Sequence, residues 1–171
     1  MKRSAALIVF LWFCWGMPCS LSAQDKLQPN IIFFLVDDMG WQDTSVPFWT
    51  EATPFNHLYH TPAMERLAAS GMKFTQAYAS SVCSPTRVSL MTGMNAARHR
   101  VTNWTLRKNA SNDAKDNMLE YPLWNVNGLS PVPGIERTVY ATPLPAVLRS
   151  NGYYTIHCGK AHWGAIGTPG A

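Results

Sequence analysis

Six side chains in this chain have types and spacings that could do chemistry: Asp37, Asp38, Cys83, Arg87, Lys160 and His162. Cys83-Ser84-Pro85-Thr86-Arg87, continued by Val88 to Thr92 and Gly93, reads as a helix start with a sulfur at its mouth. Ser84 is a good N-cap, Pro85 suits the first helical position, and Gly93 can close the C-terminus. Cys83 is then expected just outside a helix N-terminus, where unpaired N–H groups and the macrodipole favour an anion. Arg87, one turn along, could reach a small anionic group with its forked guanidinium. Taken alone, the five residues also fit an inert cysteine beside a capped helix.

Asp37 and Asp38 follow the apolar run Ile31-Ile32-Phe33-Phe34-Leu35-Val36 and precede Met39-Gly40. Adjacent carboxylates repel each other unless a cation lies between them, and hard oxygen donors suit calcium or magnesium. By itself Asp-Asp-x-Gly is also ordinary turn chemistry. Lys160 and His162 stand two apart in Gly159-Lys160-Ala161-His162-Trp163-Gly164, so in extended chain their side chains point to the same side. A lysine can stabilise an oxyanion and a histidine can carry a proton near neutral pH. His157 lies inside the preceding run and reads as a hydrogen-bonded core or surface residue.

The elements that must position these groups follow from periodicity. An unbroken apolar run such as Ile31–Val36 suits a central strand buried on both faces, and open α/β sheets place their sites at the carboxyl ends of such strands. Thr61 to Gly71 predicts a helix with a cap, a first-position proline and apolar Met64, Leu67 and Ala68. Met72 to Tyr78 alternates like a strand and delivers the chain to Cys83. Trp41 to Tyr59 reads only as a loop. Asn95 to Thr142, rich in proline and asparagine, reads as a long loop or insertion of the kind that carries specificity. Within it, Asn103-Trp104-Thr105 and Asn109-Ala110-Ser111 match glycosylation acceptors, and His99 between Arg98 and Arg100 reads as part of a surface basic cluster. Thr142 to Gly152 predicts a second capped helix, and Tyr153 to Cys158 a strand leading to Lys160 and His162.

The pattern C-x-P-x-R, followed by four residues and Thr92-Gly93, resembles the signature of the sulfatase family. Pro29-Asn30, an apolar strand and Asp37-Asp38-Met39-Gly40 resemble the start of a sulfatase. Gly159-Lys160-Ala161-His162-Trp163-Gly164 is similar to the family's Gly-Lys-Trp-His-Leu-Gly, with the Lys and His spacing kept and the packing partners changed. The resemblance implies an α/β, alkaline-phosphatase-like fold, a mostly parallel sheet flanked by helices, of which this chain supplies the N-terminal part. It implies hydrolysis of a sulfate ester to an alcohol and inorganic sulfate. Cys83 would be oxidised to formylglycine, whose hydrate supplies the nucleophile and a second hydroxyl to expel sulfate. Asp37, Asp38 and Cys83 would hold one calcium ion, Arg87 would hold the formylglycine, and Lys160 and His162 would contact the sulfate and nucleophile. Family members complete the metal site with an Asp-Asn pair further downstream. The implied partners are a sulfated small molecule or glycan and, during maturation, a formylglycine-generating enzyme. Two alternatives are a phosphatase or phosphodiesterase of the same superfamily and a non-catalytic remnant that binds a sulfated glycan.

Composition sets the bounds. The chain has 171 residues, 47% hydrophobic and 14% charged, which suits one globular unit. Lys2 and Arg3, the apolar run Ala5 to Trp15 and Ser20-Leu21-Ser22-Ala23 predict a signal peptide over 1–23, with 24–171 the N-terminal part of a sulfatase catalytic domain. The apolar run is short of the roughly 20 residues that a membrane span needs. Without residues 1–23 the balance is 12 basic against 10 acidic residues, which gives no reason to expect nucleic acid. The signal predicts a secreted, periplasmic or lysosomal protein. Only Cys83 and Cys158 would remain, and no disulfide is expected, because Cys83 is needed elsewhere.

Overall fold

The structure, a computed structural model, describes residues 28–111, 116–121, 128, 133–134 and 137–168. The signal peptide predicted over 1–23 lies outside them. The chain divides into two units, Met1–Leu35 and Val36–Ala171. In the first, residues 28–35 carry neither helix nor ladder. All six candidate residues belong to the second.

The helices fall where the spacing predicts. Helix α1 spans Pro62–Ser70, with Thr61 at its N-cap position and Gly71 after its end. Thr61 does not cap it. Its hydroxyl instead meets the Thr44 and Ser45 hydroxyls at 2.9 and 2.7 Å and accepts from the Ser45 N–H at 3.0 Å. The Ser45 hydroxyl also donates to Glu65 in the first turn at 2.5 Å, so α1 is tied to the preceding loop by side chains. That loop has its own hub. Asn56, buried in a single turn of 3-10 helix at Asn56–Leu58, donates to the Thr44 carbonyl at 2.8 Å and accepts from the Thr53 N–H at 2.8 Å. The predicted apolar face of α1 is not covered: Leu67 is exposed.

Helix α2 spans Cys83–Thr92 and differs from expectation at its start. It begins two residues earlier than the capping pattern predicts, with Val82 at the N-cap position, so Cys83 is the first helical residue rather than the residue outside. Ser84 is not the cap because its hydroxyl is engaged elsewhere, accepting from the Thr105 N–H at 3.2 Å. The Thr86 hydroxyl secures this end, donating to the Ser80 and Val82 carbonyls at 3.1 and 2.9 Å. Gly93 closes the other end as predicted. Its φ of 68° is the left-handed conformation that spares glycine a steric cost, and its N–H reaches the Ser89 carbonyl at 2.9 Å.

Helix α3, Ala96–His99, is a short turn inside the stretch predicted as loop, capped by the Asn95 side chain accepting from the Arg98 N–H at 2.9 Å. Helix α4 spans Leu144–Ser150 and starts after Pro143. Both α3 and α4 pack on α2. What is buried among the described residues is mostly small or polar: Val46, Pro85, Val88, Val101 and Ala165, beside Thr44, Asn56, Ser84, Arg87, His99 and Thr105. Buried polar groups require partners, so hydrogen bonds rather than apolar bulk define this core.

The three predicted strands form no ladder. Among the described residues the one bridge is an isolated parallel contact between Arg107 and Ile166. Ile31–Val36, Met72–Tyr78 and Tyr153–Cys158 run as single chain, and Ile32, Phe34, Tyr78 and Tyr154 are more than four-fifths exposed. A strand is stabilised by cross-strand hydrogen bonds and side-chain pairs, which no apolar run supplies for itself. The described residues thus hold the predicted helices without the sheet, and the sheet neither gains nor loses support from them.

Candidate active site

Three separated stretches of sequence meet on one carboxylate. Asp37 lies at the end of the first apolar run, Arg87 on the second turn of α2, and Lys160 in the glycine-flanked segment after Cys158. The Arg87 Nη2 donates to Asp37 Oδ1 at 2.9 Å, and the Lys160 ammonium donates to Asp37 Oδ2 at 2.6 Å. The Arg87 Nη1 closes the triangle by donating to the Lys160 carbonyl at 2.5 Å. Arg87 is buried, at 5% exposure, so its bonds are shielded from solvent more than those of a surface pair. Hydrogen bonds from Lys160 and then Arg87 hold the Asp37 carboxyl below the usual carboxylate range, and Asp37 in turn raises Lys160.

Cys83 and His162 border this cluster. Cys83 is half-buried and its thiol is free, and it lies close enough to Lys160 to interact electrostatically with that ammonium. His162 has both ring nitrogens buried and without hydrogen-bond partners among the described residues. Burial, then the neighbouring Lys160 and Arg87 cations, pushes its pKa down, so the ring is neutral at neutral pH and able to accept a proton. The backbone is strained at two site residues: Asp38 and His162 have φ of 55° and 50°. Aspartate and histidine tolerate that region better than most, and such outliers concentrate where a site holds its groups in place. Gly159, with φ of 96°, supplies the turn before Lys160.

The Asp37-Asp38 turn is held from behind. Asp43 accepts from the Gly40 N–H at 2.8 Å and from the Tyr59 hydroxyl at 2.9 Å, which raises the Tyr59 pKa. His157, as expected, is a surface residue, its ring 4.7 Å from that of Trp163. Cys158 is an exposed free thiol.

Sequence reasoning missed the residues behind α2. His99, read as part of a surface basic cluster, is 1% exposed. Arg98 and Arg100 on either side do face solvent, but helix α3 turns the histidine inward against α2. Thr105 is also buried, bonded through both its N–H and its hydroxyl to Ser84 at 3.2 Å. A histidine between two arginines gives no periodic signal; the Asn95 cap three residues before Arg98 was the available sign of a helix there.

The donors for a metal ion are incomplete. The described residues gather no group of three His, Cys, Asp or Glu side chains able to hold one, and both Asp37 oxygens already accept from cations. Asp38 makes no hydrogen bond or ion pair among the described residues. No reaction step is therefore assigned to a metal. A cleft of about 300 Å³, lined in part by Ser45, Glu65 and Lys73, contains none of the candidate residues.

The sequence that carries these residues is similar to known proteins. The sequence model of the sulfatase family covers residues 29–168, which includes all six candidate residues. The chain is 34% identical to arylsulfatase G of Mus musculus over 142 residues, 82% of this chain and 21% of that protein. It is 31% identical to a sulfatase of Formosa agariphila over 166 residues, 95% of this chain and 28% of that protein. With N-acetylgalactosamine-6-sulfatase of Mus musculus the identity is 33% over 145 residues, 84% of this chain and 24% of that protein. The chain belongs to the sulfatase family, whose fold is of the alkaline-phosphatase-like α/β type. It spans between 21% and 28% of the length of these relatives.

Proposed function

We propose that this chain is the nucleophile-bearing part of a sulfuric ester hydrolase, cleaving a sulfate ester to an alcohol and inorganic sulfate. The observation that carries the proposal is the Asp37 carboxylate, on which Arg87 and Lys160 converge from the two sequence motifs that flank Cys83 and His162. Oxidation of Cys83 to formylglycine by a formylglycine-generating enzyme would supply the hydrated aldehyde as nucleophile. The position suits it: the first residue of a helix, half-buried, beside an ammonium group and one turn from a buried guanidinium.

The remaining steps fall to side chains of this chain. Lys160 offsets charge on the sulfate oxygens, because an ammonium held in place stabilises developing negative charge without reorganising. His162, neutral and with ring nitrogens that have no hydrogen-bond partner among the described residues, takes or gives the proton. Arg87 ties α2 to the Lys160 carbonyl through Nη1 and to the Asp37 carboxylate through Nη2, two donors that a lysine could not reproduce. Calcium at Asp37, Asp38 and Cys83 belongs to this reading only with further donors, since the described residues do not complete a site. A leader over 1–23 and a secreted, periplasmic or lysosomal destination are part of the same proposal.

The test is sulfate release from p-nitrophenyl sulfate by the full-length protein, made in a host that carries the maturation machinery, beside its Cys83→Ala variant. Turnover that falls by about 10⁴-fold or more in the variant is expected. Equal rates in the two, or hydrolysis of p-nitrophenyl phosphate alone, would overturn the proposal.

A further inference from the structure

The buried imidazole of His99 is not used by the chemistry above, yet it is among the most enclosed side chains described. Its Nδ1 accepts from the Val101 N–H at 3.0 Å, so the proton of the neutral ring sits on Nε2. Nε2 lies 2.9 Å from the Ser89 hydroxyl, and the Pro85 carbonyl also acts on the ring, favouring its protonated form. Both partners are on α2, two and six residues beyond Cys83. The segment that follows His99 continues to clasp the site: Thr105 bonds Ser84, and the Leu106 carbonyl accepts from the Ile166 N–H at 3.4 Å, beyond Lys160 and His162. Close packing leaves this ring's backbone little freedom. A Cβ on Gly128 would come within 3.1 Å of the His99 carbonyl and 3.0 Å of Val101.

We infer that His99 is a positioning residue for sulfate ester cleavage, its neutral ring holding α2 through Ser89 and Pro85 so that Cys83 and Arg87 keep their places opposite Lys160. The inference rests on the proposed sulfatase activity only for its kinetic reading. A displacement of about 1 Å in such a site can lower a rate by roughly 10²-fold without touching the reacting atoms.

The experiment uses the full-length protein as wild type, His99→Ala, His99→Gln and His99→Asn, with two readouts. The first is kcat and KM on p-nitrophenyl sulfate. The second is independent of turnover: iodoacetamide labelling of Cys83, with the exposed Cys158 as internal control, in protein made without the maturation machinery. Gln can present an N–H to Ser89, and Asn an oxygen to the Val101 N–H. His99→Ala is expected to lower kcat by roughly 10²-fold with KM little changed, and to speed labelling of Cys83 about fivefold as α2 opens locally, with Cys158 unaffected. Gln is expected to restore most of both. The inference is overturned if Ala leaves Cys83 labelling at the wild-type rate. It is also overturned if Cys158 accelerates in step and neither amide improves on Ala, which would mark general loosening. Should the wild type not cleave the sulfate ester, the sulfatase reading fails while the labelling still decides the role of His99.

Discussion

The rear of helix α2 and the apolar runs that feed the site are opposite kinds of structure. Behind α2, Ser84, Arg87, His99 and Thr105 are almost wholly removed from solvent, and each of these side chains makes at least one hydrogen bond. Along Met72–Tyr78 and Tyr153–Cys158, large apolar side chains such as Phe74, Tyr78, Tyr154 and Ile156 face water and no ladder forms. The first region is closed by a few bonds across 10 to 21 residues of sequence, together with Arg87, which reaches Asp37 and Lys160. The second needs many cross-strand pairs at once. Directed polar bonds can therefore assemble the site's cationic cluster where the described residues form no ladder.

The comparison can be sharpened by substitutions of decreasing effect. His162→Ala and Lys160→Ala strike the front of the cluster. Each should lower kcat on an aryl sulfate by about 10²–10³-fold, as loss of a proton carrier or an oxyanion donor does, and steady-state kinetics on the full-length protein will show it. Arg87→Ala removes the link between α2 and the two other stretches, leaving Asp37 with one donor and the Lys160 carbonyl with none from this side chain. Urea unfolding should report a loss of about 1–3 kcal/mol.

The pH dependence tests the rear of α2. Burial lowers the His99 pKa in the folded state, so the unfolded chain binds the proton more readily. The contribution of His99 is thus complete above the ordinary histidine value of about 6.5 and is lost as pH falls below it toward the folded value. The thermal midpoint should decline across that window in wild type, and the part due to this group should vanish in His99→Gln. The smallest effect belongs to the exposed runs: Ile156→Thr should change the stability of the 171-residue chain by no more than about 0.5 kcal/mol. A cost near 2 kcal/mol would mean that Ile156 is buried in solution, as in the sheet the family implies, and would break the contrast.

The parts legible in the sequence were those with a local physical signature. Proline and glycine punctuation located α1, α2 and α4 to within a residue or two, because those residues fix or free the backbone wherever they stand. Motif resemblance put Asp37, Arg87 and Lys160 in one site but with separate roles, Asp37 on calcium, Arg87 on the formylglycine and Lys160 on the sulfate; that both cations pair directly with Asp37 is what the structure adds. Ser84 illustrates what stays hidden: its capping tendency was plain, but the competing donor at Thr105 lies 21 residues away and leaves no mark in the local pattern. His99 was misread for the same reason, since burial depends on α3 docking against α2 and the flanking arginines suggested solvent. The strands were read from apolar runs alone, which report a tendency to be buried and not the presence of partners.

The central claim is that Cys83 is the precursor of the nucleophile, and the mass of the tryptic peptide Phe74–Arg87 tests it most directly. The protein is made in a host with the formylglycine-generating machinery and digested without prior alkylation. The account predicts a peptide in which the Cys83 thiol has become an aldehyde, able to react with a hydrazide probe. An unmodified thiol, in a host shown to convert another sulfatase, would contradict it.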